Sequence, residues 1–127
     1  MNSLCIILLG YNYLVHELPV TENILEIAVR HAQNAGASRI LGLNIVIGQL
    51  ASIIDDSVQF YWEIISKDTL GEGAELHFKR IPIEILCTKC GHRYNPNSED
   101  LLCPACSSER VKIVSGKEFY LESIDIE

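Results

Sequence analysis

The stretch that decides how this chain folds is CTKCGHRYNPNSEDLLCPAC, residues 87–106. Its spacing is C-x2-C-x12-C-x2-C, pairing Cys87 with Cys90 and Cys103 with Cys106. Each pair delivers two sulfurs from one tight turn, and two facing turns complete the tetrahedron of four thiolates that zinc takes in structural sites. Gly91, directly after Cys90, permits the left-handed backbone such turns require. Pro104 stiffens the second turn. Asn95, Pro96 and Asn97 mark a reversal, so the twelve residues between the pairs are enough for a short hairpin. A closed four-sulfur shell leaves no open coordination position, which points to a structural ion rather than a catalytic one. Twenty residues bury little core unaided, so the ion would supply much of the local folding energy.

Outside this module the composition is that of an ordinary globular domain. The chain has 127 residues, 48% hydrophobic and 21% charged, which excludes a disordered or fibrous protein. Ten basic against seventeen acidic residues give a net charge of −7, and near the cysteine pairs the cations are Lys89, Arg93, Arg110 and Lys112. That balance argues against nucleic acid as a partner. No apolar run approaches the ~18 residues that span a bilayer, which excludes an integral-membrane reading, and no membrane is expected as a partner. The opening MNSLCIILLGYNYL has no lysine or arginine before its apolar stretch and no small-residue cleavage pattern, so it does not read as a secretory signal. Paired cysteines in an unexported chain read as metal ligands or redox centres rather than structural disulfides, and the expected compartment is the cytoplasm. Cys5 stands alone.

Ahead of the module, Val20, Ile24, Ile27, Ala28, His31 and Ala35 recur at three- and four-residue steps, predicting an amphipathic helix from Pro19 to about Ala35 that stops at Gly36. Ile40 to Ile47, closed by Gly48, predicts a mostly buried strand. Asp55 or Asp56 is expected to cap a second helix, Ser57 to Lys67, with Val58, Tyr61, Trp62 and Ile65 on one face, broken by Gly71 and Gly73. From Ala74 to Leu86 the alternation of Leu76 and Phe78 gives way to that of Ile81, Ile83 and Ile85. This shift predicts a bulge or bend at Lys79–Arg80. Val111 to Val114 and Phe119 to Ile126 predict two last strands. The fold class is α+β: a small sheet with two helices on one face and an inserted four-cysteine zinc-ribbon module. The expected division is an atypical N-terminal extension at 1–14, an α+β domain at 15–84 and 115–127, and the zinc module at 85–114.

The α+β domain opens with VHELPVTENILEIA, which begins at Val15. By itself the pair His16–Glu17 is a polar helix start, with Glu17 favourable near the positive end of the dipole. This stretch resembles the MHEL opening of the HypA/HybF family of nickel metallochaperones. The likeness continues through IGQL at 47–50, GAEL at 73–76, both cysteine pairs and SGKEFYLESIDIE at the end. It implies a carrier, not an enzyme, that binds Ni(II) and delivers it during maturation of nickel–iron hydrogenase, in some organisms also urease. The nickel ligands implied are His16 and Glu17 with nearby backbone nitrogens, and zinc is held by Cys87, Cys90, Cys103 and Cys106. The implied partners are a HypB-like GTPase, the hydrogenase large subunit precursor and urease accessory proteins, the carrier itself being a monomer or homodimer. No phosphate-binding loop and no nucleophile–base pair stands in this sequence, so GTP hydrolysis would belong to the partner.

The chain departs from the family in the fourteen residues before Val15, which carry no charged side chain. An internal Val15 has no free amine for a terminal chelate. A misassigned start, with the valine codon GTG read as the initiator, would account for this. If the extension is genuine, Leu4, Ile6, Ile7, Leu8 and Leu9 are expected to pack as an extra strand. His31 reads as a packing residue, His77 as solvated, His92 as solvated beside Cys90, and Trp62 as core; a supplementary nickel carboxylate from Asp55 or Asp56 is the lesser alternative to capping. Two other functions stay open: a rubredoxin-like iron protein, although the loop is shorter and lacks a tryptophan beside the second pair, and a zinc-ribbon protein-interaction module.

Overall fold

Ile40–Gly48 (β2) is the strand around which the larger layer is built, in a computed structural model that describes residues 2–5 (as backbone), 17–51, 53–96 and 102–127. Seven of its nine residues are buried, as its near-continuous branched apolar run requires. The other elements are β1 (Asn2–Cys5), α1 (Glu17–Asn34), α2 (Asp55–Ile65), β3 (Glu75–Ile81), β4 (Glu84–Cys87), β5 (Arg93–Tyr94), β6 (Val111–Ser115) and β7 (Phe119–Ile126). They form a four-stranded sheet in the order β1-β7-β2-β3 and a three-stranded sheet in the order β5-β4-β6. β2 and β3 run parallel and are joined through α2, while β7 is antiparallel to both its neighbours.

The two helices pack together over the face presented by Leu43, Ile45 and Ile47. Val20, Ile24, Ile27 and Ala28 of α1, Val58 and Trp62 of α2, and Phe119, Leu121 and Ile124 of β7 complete one core. The predicted face of α1 is borne out at Val20, Ile24, Ile27 and Ala28; His31 is half-buried and Ala35 exposed, Ala32 being the buried residue of the last turn. The helix closes just past its end, where Gly36 N–H donates to Gln33 O and Ala37 N–H to Ala32 O.

Two local expectations are corrected. α2 begins two residues early, at Asp55, and its N-cap, Ile54, offers no side-chain hydrogen bond. Asp55 instead takes the guanidinium of Arg80, which also donates to Ile53 O at 3.3 Å. A cation from β3 claims the carboxylate that was expected to cap, and both aspartates lie in the first turn, where the helix dipole favours them. The second correction is the phase change near Lys79. β3 pairs with β2 in unbroken register from Gly42↔Glu75 to Gly48↔Ile81. No bulge exists there; the alternation shifts because the chain leaves one sheet at Ile81, passes Pro82 and Ile83, and enters the other at Glu84.

The two sheets meet at the end of β2. Gly48 N–H donates to Glu118 O (2.6 Å), Gln49 N–H to Ile81 O (2.8 Å) and Leu50 N–H to Gly116 O (2.7 Å), while Ile83 N–H donates to the Gln49 side-chain oxygen (3.1 Å). The chain running into the second sheet and the chain returning from it are thus clasped by three consecutive residues of β2 and its exit. A Cβ at Gly48 would stand 2.1 Å from Gly116 O, so only glycine allows the approach.

Beyond Cys5, the N-terminal segment up to His16 lies outside the described residues, and with it most of the strand predicted there. Asn2–Cys5 does pair with β7, from Asn2↔Ile126 to Cys5↔Ser123. Among the described residues, no helix is long and apolar enough to cross a membrane.

Candidate metal centre

Cys87 is the last residue of β4, and the chain turns immediately. Gly91 N–H donates to Cys87 O (2.9 Å) and Cys87 N–H to His92 O (2.8 Å), which folds Cys87–His92 into a knuckle. Gly91 has φ +80°, the left-handed conformation read from its place in the sequence. The second knuckle repeats the pattern: Ser107 N–H donates to Cys103 O (2.7 Å) and Cys103 N–H to Ser108 O (3.1 Å). There the left-handed position, φ +60°, is held by Ser107. Sequence reasoning missed this residue; the signal was its place one after the second cysteine of a pair, matching Gly91. The first knuckle is moored by Arg110 O, which accepts from Thr88 N–H (2.8 Å) and from the Thr88 hydroxyl (2.9 Å).

The knuckles bring all four sulfurs within 4.8 Å of one another. Cys87 Sγ lies 3.6 Å from Cys106 Sγ, and Cys90 Sγ lies 3.6 Å from Cys103 Sγ. A zinc ion with Zn–S near 2.3 Å has tetrahedral edges of about 3.8 Å, so the cage fits a four-thiolate ion with little adjustment. Cys87 and Cys103 are buried, Cys106 is half-buried and Cys90 is exposed. The cage is therefore walled on the protein side and open at one sulfur.

Proximity makes the thiols unequal. The Cys90 backbone N–H facing Cys87 brings the Cys87 thiol down to about 6, against the pull of desolvation. At Cys90 the His92 backbone N–H works in the same lowering direction, but desolvation and the sulfurs of Cys103, Cys87 and Cys106 carry it up to about 12. Cys106 receives a lowering contact from Ser108, yet desolvation and the neighbouring Cys87 raise it. One anion forms readily in the cage and the next ones are resisted by it, until a cation is present to hold them.

The remaining candidate residues are dispersed. Glu17 is half-buried in the first turn of α1, its backbone carbonyl accepting from the Thr21 hydroxyl (2.6 Å). His16, the imidazole expected beside it, lies outside the described residues. His92 is exposed, its ring stacked on Tyr94 with centroids 5.8 Å apart, and its part in the knuckle is through the backbone. His77 is exposed, 3.6 Å from Glu75. Among the described residues, Cys87, Cys90, Cys103 and Cys106 are the only group of three or more metal-ligating side chains gathered closely enough for one ion.

Fold and cage together define a small α+β protein with a four-cysteine metal-binding ribbon. A family model described as HypA, hydrogenase/urease nickel incorporation, metallochaperone, matches residues 15–126. The chain belongs to the HypA family. It is 41% identical over 113 residues to the hydrogenase maturation factor HypA of Dehalococcoides mccartyi strain 195, covering 89% of this chain and 95% of that protein. It is 38% identical over 114 residues to the protein of the same name from Caldanaerobacter subterraneus, covering 89% and 100%. Among solved structures, one described as the solution structure of HypA protein superposes with TM-score 0.69 at 25% identity, over 88% of this chain and 96% of that one. The solution structure of the Ni metallochaperone HypA from Helicobacter pylori superposes with TM-score 0.61 at 24% identity, over 88% and 97%, a likeness of fold.

Proposed function

We propose that this protein carries Ni(II) at the front of α1 on His16 and Glu17 and passes it on during maturation of nickel–iron hydrogenase, with urease as a second recipient. Zinc held by Cys87, Cys90, Cys103 and Cys106 gives the ribbon its shape. The observation that carries the reading is the family match, whose first residues are Val15, His16 and Glu17. The two sites suit different tasks. Four thiolates closing a tetrahedron hold a resident ion. An imidazole with amide nitrogens at a helix start suits Ni(II) and lets it go, because those ligands must lose protons to bind and regain them as pH falls. Delivery then needs no catalytic group here, and nucleotide hydrolysis falls to a HypB-like GTPase that engages the carrier and the hydrogenase large subunit precursor in the cytoplasm. A chain starting at Val15 would add its amine to the chelate; one starting at Met1 would leave His16 internal.

Equilibrium dialysis of the zinc-loaded full chain against Ni(II), with zinc, iron and intact mass measured on the same preparation, tests the reading. Nickel should bind without displacing zinc, and His16→Ala should lose nickel while keeping zinc. Nickel binding unchanged in that variant, or iron in place of zinc with a red protein, would overturn it.

A further inference from the structure

β3 is an end strand of the larger sheet, whose order is β1-β7-β2-β3, and its outer side pairs with no strand among the described residues. Ile81 O accepts from Gln49 N–H at 2.8 Å, so the backbone groups of Ile81 point toward β2 and its exit. Such groups alternate sides along a strand, which turns those of Glu75, His77 and Lys79 toward β2 as well. The N–H and C=O of Leu76, Phe78 and Arg80 therefore point away from the sheet. Edge groups of this kind can take up an extended segment as one more strand.

A cavity of about 560 Å³ lies beside this edge, between α2 and the start of β3. Trp62 and Leu76 are part of its apolar lining. Three exposed carboxylates, Glu63, Glu72 and Glu75, stand around it with the single ammonium of Lys67 and the imidazole of His77. Leu76 and Phe78 turn their side chains to the helix side of the sheet, where they pack on the core. In a strand added beside β3, every second side chain would face the same way and reach the cavity. Trp62 is 1% exposed, and its indole nitrogen is the one buried side-chain polar atom among the described residues without a partner. Buried donors are nearly always paired, so this wall has an unused donor that an incoming chain can satisfy.

We infer that β3 and the cavity beside it receive an extended segment of a partner protein. Its backbone would pair with Leu76, Phe78 and Arg80, one apolar side chain would enter the cavity, and basic side chains would stand two residues to either side of it. The rim supplies the reason for the basic residues, since its carboxylates outnumber its ammonium in a chain of net charge −7. An acidic segment would meet like charge at Glu63 and Glu72.

The test is a titration of the zinc-loaded full chain, isotope-labelled in nitrogen, with the heptapeptide Thr-Arg-Val-Leu-Val-Arg-Thr up to about 1 mM, followed by NMR. The chain has one tryptophan, so its indole N–H gives a single signal. That signal and the amides of Leu76, Phe78 and Arg80 should shift saturably. Glu63→Lys and Glu72→Lys, both at exposed positions, should each weaken binding at least about threefold, and glutamate for both peptide arginines at least about tenfold. N-methylation of the peptide at alternate residues separates strand pairing from charge attraction. One alternate set should abolish binding, and the other should leave it within about twofold. No shift at the highest concentration overturns the inference. So does binding indifferent to both glutamate variants, or binding that both methylated peptides retain equally.

Discussion

Two residues at the knuckles hold matching backbone conformations with different side chains, Gly91 at φ +80° and Ser107 at φ +60°. A non-glycine residue in this region costs about 1–2 kcal/mol, offset in part by the greater freedom glycine has in the unfolded chain. Ser107→Gly should therefore keep the metal and stabilise the loaded protein by up to about 1 kcal/mol, and Gly91→Ser should destabilise it by about as much; urea unfolding of both checks the pair. The sulfurs make a second prediction. With Cys90 pushed up to about 12 and Cys106 raised, both are thiols near neutral pH in metal-free protein, whereas Cys87, at about 6, is largely thiolate. Metal loading near pH 7 must expel those protons, so affinity falls as pH falls, and it falls more steeply below about pH 6 once Cys87 too is protonated. Calorimetric titration in buffers of different ionisation enthalpy should show that proton release; heats independent of buffer would contradict it.

Elements with a clean period could be read from the sequence. The three- and four-residue steps of Val20, Ile24, Ile27 and Ala28 gave α1, and the branched run Ile40–Ile47 gave β2, because those side chains pack as their spacing demands. The metal cage was legible for a different reason: thiolate spacing within each pair is set by local turn geometry. What stayed hidden depends on partners distant along the chain. Nothing beside Asp55 reveals that Arg80 will claim its carboxylate, and nothing around Lys79 reveals that the next strand joins another sheet. The nearness of Gly48 to Gly116 is of this kind, and it matters most. Gly48→Ala would drive a methyl into a carbonyl at 2.1 Å. The backbone at the clasp would have to part, which should cost about 3 kcal/mol or more. The drop in urea midpoint should exceed that for Gly73→Ala, where φ is positive but nothing stands within 4 Å.

Across the described residues, the two helices, β2 and β7 share one hydrophobic core against which Leu76 and Phe78 of β3 pack, and the three-stranded sheet contributes none of its residues to that cluster. Removing the metal should then unfold the ribbon first. Hydrogen exchange after chelation should show protection lost across β4, β5 and β6 and retained across β2 and β7; uniform loss would mean that the two parts fold as one unit. β7, which β2 holds on one side, is bordered on the other by Asn2–Cys5 along Ser123–Ile126. A product initiated at Val15 would lay that flank bare, leaving a row of amide and carbonyl groups to which any extended strand could zip. The choice of start codon would then set whether the sheet ends in a finished selvedge or in an adhesive hem.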